Sequence, residues 1–151
     1  TDVVDLHRRG VTIGLGTDGG CSNNRVSVLD EMRTCALLQK VAKIDGQAIA
    51  AEDVWAMGTT GGGRALELPV GDLAPGQRCD LVAVDLDDLS LQPAAALAKN
   101  LVYALSPRAL TDVVVDGHVV VADRQLTRVP AAEILDRVRT LTRDWRRDPE
   151  A

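Results

Sequence analysis

The sequence predicts an α/β chain in two parts: the end of an alternating helix–strand unit, then a small β-rich module with helices attached. Three observations carry that reading. Residues 2–15 run helix, glycine, strand, the order of an αβ step within a βαβ unit. After Leu68 the chain turns rich in Gly, Asp and Pro, as in Gly71-Asp-Leu-Ala-Pro-Gly76. Further on stands Val113-Val-Val-Asp-Gly-His-Val-Val-Val121, whose Asp116-Gly117 is the favoured two-residue hairpin turn.

The elements follow in order. Asp2 to Arg9 reads as a helix tail that Gly10 stops. Val11 to Leu15 reads as a buried strand. No strand precedes that helix, so the chain reads as starting part-way through a larger fold. A loop covers Thr17 to Arg25. Ser27 is the N-cap of the next helix, with Asp30 as capping-box partner. That helix runs to about Lys43 with a stripe of Val28, Leu29, Met32, Cys35, Ala36, Leu38, Val41 and Ala42. Ala51 to Met57 is a short helix entered through Glu52 and Asp53, and Thr59 to Leu66 is a third. The latter holds Gly61, Gly62 and Gly63, each costing roughly 1 kcal/mol relative to Ala. Close backbone packing, a nearby ligand or a loop would each account for them.

In the second part, Cys79 to Asp85 reads as a strand and Asp87 to Pro93 as a loop. Pro93 to Leu105 is helical by its Ala content and stops before Ser106-Pro107. Ala131, Ile134, Leu135, Val138, Leu141 and Trp145 recur at helical spacing in a terminal amphipathic helix. Arg137, Arg139, Arg143, Arg146 and Arg147 alternate there with Glu133, Asp136, Asp144 and Asp148, the pattern of a solvated face.

Composition narrows the function. The 151 residues are enough for a real core, and 46% hydrophobic content argues for a folded chain. A net charge of -5 disfavours nucleic acid and anionic membrane as partners. No apolar run has transmembrane length, and nothing at the N-terminus resembles a signal peptide. Cys21, Cys35 and Cys79 lack C-x-x-C spacing, so they read as small buried residues in a reducing cytoplasm. His7 and His118 are too few for a self-contained catalytic zinc site. His7 reads as a helix-surface residue and His118 as solvent-facing beside the hairpin turn.

The candidate site is Val11-Thr-Ile-Gly-Leu-Gly-Thr-Asp-Gly-Gly-Cys-Ser-Asn-Asn24, where a short apolar strand delivers Asp18 into a loop rich in Gly and Asn. Burying that carboxylate is costly unless charge or hydrogen bonds offset it. Gly14-Leu-Gly-Thr-Asp-Gly19 matches G-x-G-x-x-G. A dinucleotide reading suffers on two counts. Asp18 would put a carboxylate in the pyrophosphate pocket, and the helix opens only near Ser27. A metal reading keeps Asp18 ionised as an oxygen ligand and proton carrier. A capping reading has it accept backbone N–H bonds from Gly20 or Cys21 of its own loop. Spacing alone leaves metal and capping level. Ser22 and Asn23 follow where a loop would line the site's mouth; they orient Asp18, touch substrate or shape the turn.

Gly14-Leu-Gly-Thr-Asp-Gly-Gly-Cys-Ser-Asn-Asn24, Glu31-Met-Arg33, Ala36-Leu-Leu-Gln-Lys40, Arg64-Ala-Leu66, Gly71-Asp-Leu-Ala-Pro-Gly-Gln77, Cys79-Asp-Leu-Val82, Leu89-Ser-Leu-Gln-Pro93, Leu101-Val-Tyr103 and Val113-Val-Val-Asp-Gly-His-Val119 occur in that order. The series resembles the metal-dependent amidohydrolase superfamily. Within it, the branch of methylthioadenosine/S-adenosylhomocysteine deaminases and s-triazine chlorohydrolases is most similar. The resemblance implies a (β/α)8 barrel with a small β-sandwich, this chain being its C-terminal part. Residues 1–68 would end the barrel, 69–127 would form the sandwich part with an inserted helix, and 128–151 a C-terminal helix. It implies that Asp18 is a metal ligand and proton shuttle on the last barrel strand, with Ser22 and Asn23 as substrate-contact candidates. It further implies one zinc ion per full-length subunit, alternatively iron(II), and hydrolysis of an amino or chloro substituent on a small heterocyclic substrate. The other ligands would come from the remainder of the barrel. A guanine or oxoguanine deaminase is the enzyme alternative, and a non-catalytic binding module the alternative of another class. A homo-oligomer through the hairpin and terminal helix stands beside those elements covering the barrel.

Overall fold

The computed structural model describes residues 1–145; Arg146, Arg147 and Asp148 of the predicted terminal helix lie outside them. Helix α1 spans Val3–Arg8. The Asp2 carboxylate accepts from Asp5 N at 3.0 Å, which caps its first turn. Gly10 ends it at φ 74°, with Val11 N donating to Leu6 O at 3.1 Å. Helix α2, Val28–Lys43, starts on Ser27, whose hydroxyl accepts from Asp30 N at 3.3 Å. The Asp30 carboxylate does not close the capping box; it pairs with Arg25 at 2.8 Å instead.

Helices α3 (Ala51–Gly58), α4 (Thr60–Ala65) and α5 (Leu97–Tyr103) complete the helical part. Its core joins four helices: Val4 of α1, Met32 and Ala36 of α2, Val54 and Met57 of α3, and Val102 of α5. Met32, Val54 and Val102 are almost wholly buried, each contributing roughly 1.5–3 kcal/mol. Gln39 is the one polar residue among the buried described residues. Its Oε1 accepts from Val3 N at 3.0 Å and Val4 N at 3.4 Å, while its Nε2 donates to Thr1 O at 3.2 Å. Two helix-start amides that α1 cannot satisfy by itself are thus satisfied from α2.

The second part is one antiparallel sheet in the order β1 (Leu81–Val84), β2 (Leu110–Val115), β3 (His118–Ala122), β4 (Gln125–Leu126). The predicted hairpin is present. Asp116 (φ 50°) and Gly117 (φ 76°) both lie in the left-handed region, as its tight turn requires. A small cluster of Leu91, Leu105 and Ala109 seats the sheet on the helices through Val84 and Leu110. Leu29 of α2 packs against both clusters, so the two parts share a seam. The region from 87 to 105 is more broken than its Ala content predicts, with 3-10 turns at Leu89–Leu91 and Ala94–Ala96 ahead of α5. Helix α6, Ala131–Leu141, follows, with Ile134, Leu135, Val138 and Leu141 exposed.

Two expectations are corrected. Val11 to Leu15 joins no ladder: among the described residues no strand pairs with it, and Leu15 N donates to Met57 O of α3 at 3.1 Å. Of the cysteines expected to be buried, only Cys35 packs against the core. Cys21 and Cys79 are exposed and sit in loops, and Cys35 is half-buried, where burial pushes its thiol up.

The triple glycine is explained at its ends. A Cβ at Gly61 would stand 2.3 Å from Ile13 O, and one at Gly63 would stand 2.3 Å from Val70 O. Helix α4 therefore lies directly on the backbone of the segment leading to Asp18, an approach that only glycine permits. Close packing is the account that holds for both.

Candidate functional site

Asp18 stands at the end of the Val11–Leu15 segment, pressed from behind by α4. Its φ is 58°, a left-handed conformation that costs a non-glycine residue roughly 1–2 kcal/mol and that Asp tolerates better than most. The predicted burial of its carboxylate is not found: Asp18 is exposed in this chain. Its Oδ1 accepts from Gly19 N at 2.8 Å, the very next amide, rather than from Gly20 or Cys21 as the capping reading expects, and Thr17 Oγ1 donates to the Asp18 carbonyl at 3.1 Å.

The loop then folds back on itself. Gly19 O accepts from Ser22 N at 3.0 Å, Asn23 N at 2.9 Å and Ser22 Oγ at 3.1 Å. Asn23 turns its side chain towards the helix: Nδ2 donates to Glu31 Oε1 at 2.7 Å, and Oδ1 accepts from Arg25 N at 3.0 Å. Ser22 and Asn24 are exposed and Asn23 is half-buried. Residues 18, 22 and 23 therefore form one turn, as the sequence expects. Glu31, which sequence reasoning missed as a loop partner, anchors that turn to α2. Its only signal was position, one turn into the helix that follows an Asn-rich loop.

The Gly19 amide holds the Asp18 carboxyl below its ordinary value of 3.8, with the Ser22 hydroxyl adding to the effect against slight desolvation. With the folded pKa depressed, the ionised carboxylate favours the folded loop above about pH 3.8. The contribution fades as pH falls through the lower folded value. A carbon-detected NMR titration of the full-length protein, metal-free, is expected to place the Asp18 midpoint below 3.8, with Ser22→Ala moving it upward. A midpoint above 3.8 contradicts the loop geometry.

An ionised carboxylate suits zinc or iron as one ligand. Among the described residues no group of three or more His, Cys, Asp and Glu side chains could hold a metal ion. The two histidines lie elsewhere. His7 faces Asp53 of α3 at 3.4 Å, and His118 turns Nδ1 to Asp116 O at 2.9 Å. A cavity of about 260 Å³ opens beside His7, Asp53 and Arg64, but residues 14–24 take no part in its lining. Asp18 could offer a metal one oxygen donor, and among the described residues no cluster completes a site around it.

A model of the amidohydrolase family matches residues 1–120, most of the chain and all of this loop. The chain belongs to the amidohydrolase family. A family relative, the 5-methylthioadenosine/S-adenosylhomocysteine deaminase of Syntrophobacter fumaroxidans (strain DSM 10017 / MPOB), is 40% identical over 143 residues. That match covers 93% of this chain and 33% of the relative. The crystal structure of an adenosine deaminase from Xanthomonas campestris with bound zinc superposes with a TM-score of 0.89 at 33% identity, over 96% of this chain and 34% of that one. Atrazine chlorohydrolase from Arthrobacter aurescens TC1, complexed with zinc, gives a TM-score of 0.83 at 25% identity, over 92% and 31%. This amidohydrolase chain thus spans about a third of the length of the proteins it matches.

Proposed function

We propose that the chain is the C-terminal part of a zinc-dependent aminohydrolase that removes an amino group from an aminated purine nucleoside. Residues 1–68 end the barrel, 69–127 belong to the small sheet domain and 128–151 add a helix. The observation that carries the reading is Asp18: an ionised, exposed carboxylate in a strained, stitched turn, within the stretch that matches the family. The relative named for methylthioadenosine and S-adenosylhomocysteine favours an amino over a chloro leaving group. No helix among the described residues is long and apolar enough to cross a membrane.

Zinc, when bound, lowers the pKa of a coordinated water so that a nucleophile exists at neutral pH. Asp18 would hold the ion through its carboxylate and would take up a proton from the attacking water. It then hands that proton to the departing amino group, as a positioned acid/base does. The Gly19 N–H keeps one oxygen aimed and the carboxyl ionised at rest. Ser22 lines the mouth, while both ends of the Asn23 amide are engaged within the protein. The remaining ligands come from the rest of the barrel.

The test is ammonia release by the purified full-length protein from methylthioadenosine, S-adenosylhomocysteine, adenosine and guanine, with chloride release from atrazine alongside. Ammonia from the adenine nucleosides at the highest kcat/KM is expected. Activity on guanine or atrazine alone overturns the substrate class. No release from any of them returns the chain to the binding-module reading.

A further inference from the structure

We propose that Glu31 is the positioning residue of the Asp18 loop, acting through Asn23. The role rests on the reading of Asp18 as a metal ligand, whereas the clamp itself rests on geometry. Asn23 is the knot of the turn. Its backbone N–H reaches Gly19 O at 2.9 Å, its Oδ1 takes Arg25 N at 3.0 Å, and its Nδ2 gives the half-buried bond to Glu31 Oε1 at 2.7 Å. The last of these joins the turn to the first turns of α2, eight residues on. Because its acceptor is a carboxylate, it is of the stronger, charge-assisted kind.

A second link, Arg25 to Asp30 at 2.8 Å, starts from a side chain that is 69% exposed and is correspondingly weaker. Asp18 sits beside Gly19 in a conformation that persists only where its surroundings fix it. The clamp therefore sets where the carboxylate stands. Residues that orient a ligand typically change metal affinity 10- to 100-fold when they are removed.

The geometry supplies a reversible test. Asn23→Asp keeps the acceptor for Arg25 N but sets a second carboxylate against Glu31. Glu31→Gln keeps an acceptor for Asn23. Combining the two substitutions restores the bond with its direction reversed: the amide introduced on α2 donates to the carboxylate introduced in the loop. In the full-length protein, amide exchange is followed across residues 17–25. The β2–β3 hairpin serves as internal reference, and zinc affinity is measured by chelator competition. Asn23→Asp is expected to speed exchange across the loop about tenfold and to weaken zinc binding by roughly 10-fold or more. Glu31→Gln and the double variant stay within about threefold of wild type in exchange. The hairpin is unchanged throughout.

Unchanged loop exchange in Asn23→Asp, or a double variant as fast as the single, overturns the clamp. Faster exchange with unaltered zinc affinity overturns the positioning role. Asp18→Asn is run alongside: if it retains zinc, the metal reading of Asp18 fails, and the exchange measurement still decides the clamp.

Discussion

Replacing Asp18 by alanine in the full-length protein is expected to lower kcat/KM for ammonia release by at least about 10³-fold. The side chain is asked to do two things, hold a cation and carry a proton, and positioned acid/base catalysis alone is worth roughly 10²–10⁴. Stability of the metal-free protein should hardly move. Among the described residues Asp18 is exposed, and its side chain bonds within its own turn, to Gly19 N and near Ser22. Alanine does lose Asp's tolerance of the left-handed φ, so a loss of up to roughly 1 kcal/mol in a denaturant melt is consistent with the account. The comparison to make is kcat/KM and bound zinc per subunit for wild type, Asp18→Ala and Asp18→Asn, each with a melt. Activity within tenfold of wild type in Asp18→Ala removes the residue from the mechanism.

The largest expected effect on stability is at Gly61. A methyl group there would sit 2.3 Å from Ile13 O and 2.9 Å from Ala56 O. Both are backbone atoms, so no side chain can swing aside, and the helix must separate from the segment that carries Asp18. Overpacking of this kind costs about 3 kcal/mol. At Gly62, the next residue, an added methyl group would meet nothing within 4 Å among the described residues, so Gly62→Ala should be neutral or gain up to roughly 1 kcal/mol of helix propensity. Neighbouring glycines are therefore expected to respond with opposite signs in urea melts of the full-length protein. Equal stability of Gly61→Ala and wild type contradicts the packing described.

Much of the fold was legible because local chemistry decided it. The Asp116-Gly117 turn, the Ser27 cap and the Gly10 stop each satisfy a backbone demand within a few residues, and each stands as expected. What escaped depends on distant partners. Strand β4 is set off by Asp123 (φ 46°) and Arg124 (φ 62°), a turn without glycine. Arg124 is held there by Asp85 at 2.9 Å and Arg108 O at 2.9 Å, contacts that no local pattern announces. Gln39 capping α1 from α2, and Glu31 gripping Asn23, are likewise contacts across sequence. The Val11–Leu15 segment has the composition of a strand but finds no ladder partner among the described residues. Composition alone cannot provide one.

At the site, Asp18 and its turn were readable from the Gly- and Asn-rich spacing. Whether the carboxylate serves a metal or only its own loop was not, because the two readings share the same bond to Gly19 N. The family match over residues 1–120 and the zinc in two solved relatives add weight to the metal.

The most direct test is a crystal structure of the zinc-loaded full-length protein with anomalous data collected at the zinc edge. The account predicts one strong zinc peak with an Asp18 carboxylate oxygen at about 2.0–2.2 Å. A zinc ion whose ligands are complete without Asp18 would contradict it.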